Sequence, residues 1–251
     1  MDLGIDGRTV IVTGASGGLG RRIARAFAAE GADVVLTYRG SRSDAELVAK
    51  EIGDRALVHR YELDNADSAR ELVDATLAWT GRVDVLVNNA VDWGGTTPSG
   101  DRPFEAVPDD AWVGALRANI EGALRLSRAV APVLRERRWG RLVHISSSVV
   151  PDGMPGGEYY AAAKAALHGF SRSAAFGLGR DGDILSNVVM PGLTRTETNT
   201  EIADAYGGHY SALSPLGRLL DADEVARPIV YLGSAANTGI TGQAITVAGG
   251  V

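Results

Sequence analysis

The stretch Thr13–Gly20, TGASGGLG, admits two chemistries. Gly14-Ala15-Ser16-Gly17-Gly18 fits G-x-S-x-G, the elbow that presents a serine nucleophile to an acyl carbon. The same residues also read as a glycine-rich turn between a strand and a helix, the kind that holds a phosphate. A second chemical signal is Tyr160 with Lys164. On a helix, positions i and i+4 share a face, which sets a phenol beside an ammonium. A tyrosine has an ordinary pKa of about 10, and bringing it to neutrality takes about three units, or roughly 4 kcal/mol in favour of the phenolate. A neighbouring positive charge acts in that direction. Tyr–Lys pairs at this spacing are also frequent on helix surfaces. Both signals therefore depend on the elements that position them.

Short runs rich in β-branched residues recur at Thr9–Thr13, Val34–Thr37, Ala56–Tyr61, Val83–Val87, Leu142–Ser146, Ile184–Val189 and Ala244–Val247. Most are continuously apolar, the pattern of strands buried on both faces of a parallel sheet. Helical patterns lie between them. Leu19, Ile23, Ala26 and Phe27 form one stripe that ends at Gly31, a residue suited to a helix stop. Ser43-Asp44-Ala45-Glu46 reads as a capping box for a helix that runs out at Gly53. Long helices are expected over Asp109–Arg138 and Tyr159–Arg180. Alternating strand and helix imply right-handed crossovers and a doubly wound α/β sheet of about seven parallel strands, Rossmann-type, with helices on both faces. No linker or repeat interrupts residues 1–251, so one domain is expected.

Composition excludes several classes. A net charge of −6 is unlike that of a nucleic-acid binder. Cysteine is absent, which rules out disulfides and thiolate metal sites; no metal site is expected. No apolar run reaches the ~18 residues a membrane span needs. The opening MDLGIDGRTVIVTG lacks the pattern of a secretion signal. The expected location is the cytoplasm.

Position decides between the two chemistries. A hydrolase elbow lies in mid-sheet, with an acid and then a histidine after it. Only about a dozen residues precede Ser16, and none of His59, His144, His168 and His209 has a telling context. His144, alternating within an apolar run, reads as a core residue. The glycine turn instead follows the first strand and opens the first amphipathic helix, where N–H groups and the helix dipole favour a pyrophosphate. The spacing, T-G-x-x-x-G-x-G, differs from G-x-G-x-x-G.

With these motifs in order, the chain resembles the short-chain dehydrogenases/reductases along nearly its whole length, and most of all the reductases of 3-oxoacyl thioesters. TGASGGLG is similar to that family's cofactor loop, in which Gly14, Ser16, Gly18, Leu19 and Gly20 would contact the dinucleotide. Asn88-Asn89-Ala90 resembles its NNAG motif, with Val91 in place of the last glycine. Asn119 matches an asparagine midway along the fourth helix, and Ile145-Ser146-Ser147 matches the serine strand. Tyr160-Ala161-Ala162-Ala163-Lys164 is Y-x-x-x-K, and Pro191-Gly192-Leu193-Thr194-Arg195-Thr196 resembles PG-x-x-x-T. ITGQAITVAGG is similar to the last strand, with Ala248 where aspartate is usual.

The resemblance implies roles. A carbonyl that accepts hydride becomes an alkoxide, so the site must supply a proton and hold the oxygen. Tyr160 would be the acid in reduction and the base in oxidation, with Lys164 lowering its pKa and binding ribose hydroxyls. Ser147 would orient the carbonyl, and Asn119 would serve a proton relay. Ser146, Ser148 and Tyr159 are rivals for these places. Glu62 and Leu63 would lie against adenine, with Asn89, Ala90, Pro191, Gly192, Thr194 and Thr196 along the rest of the dinucleotide. Enzymes that use NAD place an acid at the end of the second strand. Here Tyr38 stands in that place, and Arg39, Ser41 and Arg42 follow, suited to a 2′-phosphate. NADP(H) is therefore preferred over NAD(H). The expected reaction is reduction of a 3-oxoacyl thioester or other β-keto compound, with oxidation of a sugar, polyol or cyclic alcohol as the alternative. A non-catalytic nucleotide sensor and a serine hydrolase are remoter readings.

Three further expectations concern surfaces. Small residues on the two long helices, with the resemblance, imply a homotetramer. Thr194–Leu213 would be a lid, with Gly207-Gly208 a hinge or break, facing a wall formed by Asp92-Trp93-Gly94-Gly95-Thr96-Thr97. Arg135, Arg137 and Arg138 would meet an acidic acyl-carrier protein by steering, or compensate a helix dipole.

Overall fold

The alternating side chains of each strand divide between two separate cores. Val10, Val12, Val34 and Leu36 join one apolar cluster with Ile23, Phe27, Val48, Val225 and Ile229, whereas Ile11 and Val35 join another with Leu72, Leu126, Val130 and Leu134. A strand with both faces covered must be apolar throughout, which is why the runs show no polar alternation.

The structure is a computed structural model describing residues 2–93 and 103–251. Seven parallel strands run in the order β3-β2-β1-β4-β5-β6-β9. They are β1 (Thr9–Val12), β2 (Asp33–Tyr38), β3 (Ala56–Arg60), β4 (Val85–Asn88), β5 (Trp139–Ile145), β6 (Asp183–Pro191) and β9 (Ala244–Val247). A separate ribbon pairs β7 (Thr194–Arg195) with β8 (Leu220–Asp221). Helices α1 (Gly18–Ala29), α2 (Arg42–Ile52) and α8 (Ala222–Leu232) supply the first core. Helices α3 (Ala66–Thr80), α4 (Asp109–Arg137) and α6 (Glu158–Leu178) supply the second. A short α5 (Val149–Asp152) follows β5, and α7 (Thr200–Leu213) follows β7. The order reverses between β1 and β4, the switch point beside which α/β sheets bind ligands.

Several boundaries differ from the sequence reading. Helix α2 starts at Arg42, with Ser41 as N-cap, so Ser43 lies inside the helix and caps nothing. Arg42 is drawn into the first turn by its bond to Glu46 at 2.7 Å. The capping box instead belongs to α8, between Asp221 and Glu224. Strand β5 begins three residues before Leu142 because Arg141 is fully buried within it. That guanidinium donates to the carbonyls of Ser234, Gly140, Asp183 and Asn237 at 2.7–3.0 Å and to the Asp183 carboxylate at 2.9 Å. Helix α3 is an addition. Asn65 caps it by accepting from the Asp67 N–H, and Gly81 ends it in the left-handed conformation.

Candidate active site

The carboxyl ends of β1, β4, β5 and β6 all open on one edge of the sheet. There the chain leaves β1 through Thr13–Gly17 and enters α1. Gly14 and Gly18 hold φ of 66° and 53°, left-handed values that favour glycine. A Cβ on Gly20 would lie 2.2 Å from the Gly14 carbonyl oxygen and 2.6 Å from Asn89 Nδ2. The turn is therefore closed to side chains from within. Its N–H groups at Gly18, Leu19 and Gly20 belong to the first turn of α1, where no intrahelical acceptor exists. Arg21 fixes the loop by donating to the Ser16 carbonyl at 3.0 Å. These residues fit a dinucleotide's pyrophosphate, bound by N–H groups and the helix dipole.

The loop is tied to β4 and β2 by residues that the sequence reading did not single out or read differently. Thr13 Oγ1 accepts from the N–H groups of Asn89 and Ala90 at 2.8 and 2.9 Å, and Thr37 Oγ1 accepts from the Gly14 N–H at 3.0 Å. Asn89 Nδ2 donates to the Thr13 carbonyl at 2.9 Å. Asn89 thus acts through the loop, as a brace. The only sequence signal for Thr13 and Thr37 is a polar residue ending an apolar run.

At the end of β2, Tyr38 is half-buried and Arg39 exposed. Arg39 forms an ion pair with Asp92, beyond β4. Glu62 pairs with Arg60 at 2.9 Å. Leu63 packs so closely on Gly122 of α4 that a Cβ there would lie 2.6 Å from Leu63 Cδ2.

Beyond β5 the structure brings Ser147, Tyr160 and Lys164 together. Ser147 lies close enough to Tyr160 to act downward on its pKa, but burial dominates and pushes the phenol up to about 12. Lys164 Nζ lies 5.7 Å from the Tyr160 ring centroid and donates to the Ile145 carbonyl at 2.9 Å. Burial lowers the lysine to about 8. Burial dominates the tyrosine, and the Lys164 ammonium points at a backbone oxygen. Ser146 is buried and bonded to the Lys164 carbonyl and to His168, while Tyr159 donates to the Phe104 carbonyl and stacks on Trp112. These are scaffold contacts. Asn119 donates to the carbonyls of Asp92 and Ala115 at 2.6 and 2.7 Å and accepts from the Asp92 N–H at 3.0 Å.

Trp93 stacks on Tyr160 with ring centroids 4.5 Å apart. The wall expected from Asp92 onward is described through Trp93, and Gly94–Thr97 lie outside the described residues. Pro191 ends β6, and a Cβ on Gly192 would meet Ala248 at 2.8 Å. Thr194 opens the small ribbon, and Thr196 is held by Asn199 at 2.8–2.9 Å. Thr198 faces Gly17 and Gly18, and Glu197 pairs with Arg21 at 3.3 Å, so this segment crosses the glycine loop. Gly207-Gly208 is not a break, because α7 runs through both. Gly207 is buried, and its missing Cβ leaves room for Leu219, which a Cβ would meet at 3.1 Å.

Two of the three arginines at the end of α4 are engaged in the chain itself. Arg135 pairs with Asp181, and Arg137 donates to the Gly81 carbonyl at 2.7 Å. All three precede β5, at the edge of the sheet opposite Ser147. His144 is buried, bonded at Nδ1 to Asn88 Nδ2 at 3.1 Å and lowered to about 4 by burial.

A glycine turn beyond the first strand, with a serine–tyrosine–lysine cluster beyond the fifth, defines a Rossmann-type oxidoreductase. The chain belongs to the short-chain dehydrogenase/reductase family: the family model described as enoyl-(acyl carrier protein) reductase matches residues 14–251. It is 34% identical over 249 residues to the 3-oxoacyl-(acyl-carrier-protein) reductase of Escherichia coli, covering 99% of each chain. It is 36% identical over 259 residues to an L-rhamnose 1-dehydrogenase (NAD(P)(+)) of a Sphingomonas species, covering 98% of this chain and 97% of the other. A short-chain dehydrogenase from Burkholderia cenocepacia, solved in complex with NADP, superposes with a TM-score of 0.88 at 30% identity over 98% of both chains.

Proposed function

We propose that the protein is an NADP(H)-dependent reductase of a 3-oxoacyl thioester or related β-keto compound. The observation that carries the reading is the cluster of half-buried Ser147 and Tyr160 with buried Lys164, on the same edge of the sheet as the glycine loop. The E. coli relative acts on a 3-oxoacyl carrier thioester, and the Burkholderia neighbour binds NADP.

Gly14, Ser16, Gly18, Leu19 and Gly20 would cradle the pyrophosphate, and Arg39 the 2′-phosphate. Tyr38, Ser41, Glu62, Leu63, Asn89 and Ala90 would line or brace the adenosine half, with Pro191, Gly192, Thr194 and Thr196 at the other. When bound, NADPH supplies the hydride. Ser147 Oγ holds the substrate oxygen, and Tyr160 gives it a proton from the phenol. The phenol is protonated at neutral pH and so can donate, and transfer is fastest when its pKa is brought down toward the working pH. Lys164 would stabilise the phenolate left behind, and Asn119 would hold the water that links Lys164 to solvent as a proton relay.

A carrier protein presenting the thioester would dock at the carboxyl edge of the sheet rather than at Arg135, Arg137 and Arg138. We further propose a cytoplasmic, single-domain homotetramer. Gly114, Gly169 and Gly177 each border open space, and Phe176 on α6 is 68% exposed. Light scattering at micromolar concentration tests this, with a monomeric mass refuting it. The second reading, dehydrogenation of a sugar, rests on the rhamnose dehydrogenase relative. A panel of carbonyl substrates followed by NADPH consumption, beside sugars followed by NAD(P)H formation, separates the two. Turnover of acetoacetyl thioesters supports the first; their inertness beside rapid oxidation of a sugar overturns it.

A further inference from the structure

Resting on the reading that the glycine loop takes a dinucleotide, we propose that Asp92 is a positioning residue that limits how tightly the dinucleotide binds. Its carboxylate holds Arg39 in an ion pair across the mouth of the loop, a bridge that must open for any dinucleotide. Only a 2′-phosphate then gives Arg39 a new partner.

The topology sets the span. Strands β2 and β4 are the two neighbours of β1, and the glycine loop leaves the end of β1 between them. Adjacent strands lie about 4.8 Å apart. Arg39 follows β2 directly, and Asp92 lies beyond β4, so the pair reaches across roughly two strand spacings above the loop. One post is fixed and the other free. The backbone of Asp92 is held at both polar atoms by Asn119, at 2.6 and 3.0 Å, and its side chain is only 22% exposed. The Arg39 side chain is 60% exposed. Opening therefore moves Arg39. The other cation at this strand end, Arg42, is held by Glu46 within its own helix at 2.7 Å, which leaves Arg39 to meet the ligand.

Discrimination follows from what Arg39 regains. An ion pair this exposed holds its closed form about 1.4- to 5-fold over the open one. Either dinucleotide loses that factor on entering. A 2′-phosphate restores it with a charge-assisted, two-pronged contact, whereas a 2′-hydroxyl leaves the guanidinium in water. The bridge thus lowers both affinities by one factor, and the preference between them comes from Arg39 alone.

The test is a double-mutant cycle read by calorimetry, with NAD+ and NADP+ as separate ligands and the full-length protein. Asp92→Asn keeps the backbone bonds to Asn119 and should tighten NAD+ and NADP+ alike, about 2- to 5-fold. Arg39→Ala should tighten NAD+ by the same factor while weakening NADP+ at least tenfold. The double variant should bind NAD+ no better than either single one. At about 1 M salt, where screening shortens to about 3 Å, wild type and Asp92→Asn should bind NAD+ alike. Unchanged NAD+ affinity in Asp92→Asn, or gains that add in the double variant, would overturn the bridge while leaving the dinucleotide site intact. Failure of the wild-type protein to bind either nucleotide would overturn that site and the bridge with it.

Discussion

Replacing Gly20 by alanine tests whether the glycine loop is built by close approach rather than by chain flexibility. Gly20 lies inside α1, where alanine's intrinsic advantage over glycine is about 1 kcal/mol, so propensity alone favours the change. Packing opposes it. The new Cβ would lie 2.2 Å from the Gly14 carbonyl oxygen, so that backbone group must move by about 1 Å to reach ordinary contact. Overpacking of this kind costs about 1–3 kcal/mol. The same shift breaks the bond from Asn89 Nδ2 to the Gly14 carbonyl at 3.3 Å, worth about 1 kcal/mol. The net is a loss of about 1–3 kcal/mol, or a Tm lowered by about 3–10 °C in a chain of this size. Displaced N–H groups should also weaken dinucleotide binding at least tenfold. Gly40→Ala is the control, since its Cβ would meet nothing within 4 Å. Calorimetric melting and NADP+ titration of both variants read the outcome. Wild-type Tm and affinity in Gly20→Ala would refute the argument.

Other outcomes follow from buried charge. Lys164 is held near 8 in the folded chain and near 10.5 in the unfolded one. The unfolded state therefore binds more protons between these values, and stability should rise with pH from about 8 to 10.5. Denaturant titrations should show that rise disappear in Lys164→Met. His144, lowered to about 4 from 6.5, should make stability fall as pH drops through that interval, and His144→Gln should flatten the fall in acid melting curves. Arg141→Met leaves four carbonyls without their donor. It should cost about 3–5 kcal/mol in urea titrations while leaving KM for the dinucleotide unchanged.

Local pattern reveals the sheet because burial on both faces forces apolar runs, as in Val10-Ile11-Val12 divided between two cores. It also reveals the order of β1, glycine turn and α1, since a turn with left-handed residues demands glycine at Gly14 and Gly18. Arg141 misleads the reading of β5 because its acceptors are distant in sequence, at Asp183, Ser234 and Asn237. A glycine pair reads locally as a break, yet α7 runs through it, and Leu219 packs close where a Gly207 Cβ would stand. The i, i+4 spacing puts Tyr160 and Lys164 on one face but says nothing of where the ammonium points. Its aim at the Ile145 carbonyl, and the burial that raises the tyrosine, depend on the packing of α6 over β5. The Arg39–Asp92 pair joins loop residues that follow the non-adjacent strands β2 and β4, a contact no local pattern encodes.

The central claim is that the Tyr160 phenol transfers the proton in a reduction driven by NADPH. Tyr160→Phe removes one oxygen while retaining the ring that stacks on Trp93. Turnover of that variant should be compared with wild type on the best substrate from the carbonyl panel, with NADPH binding measured in parallel. The account predicts a fall in kcat of at least about 10²-fold, the scale of a positioned acid, with the Kd for NADPH nearly unchanged. Wild-type turnover in Tyr160→Phe would contradict it.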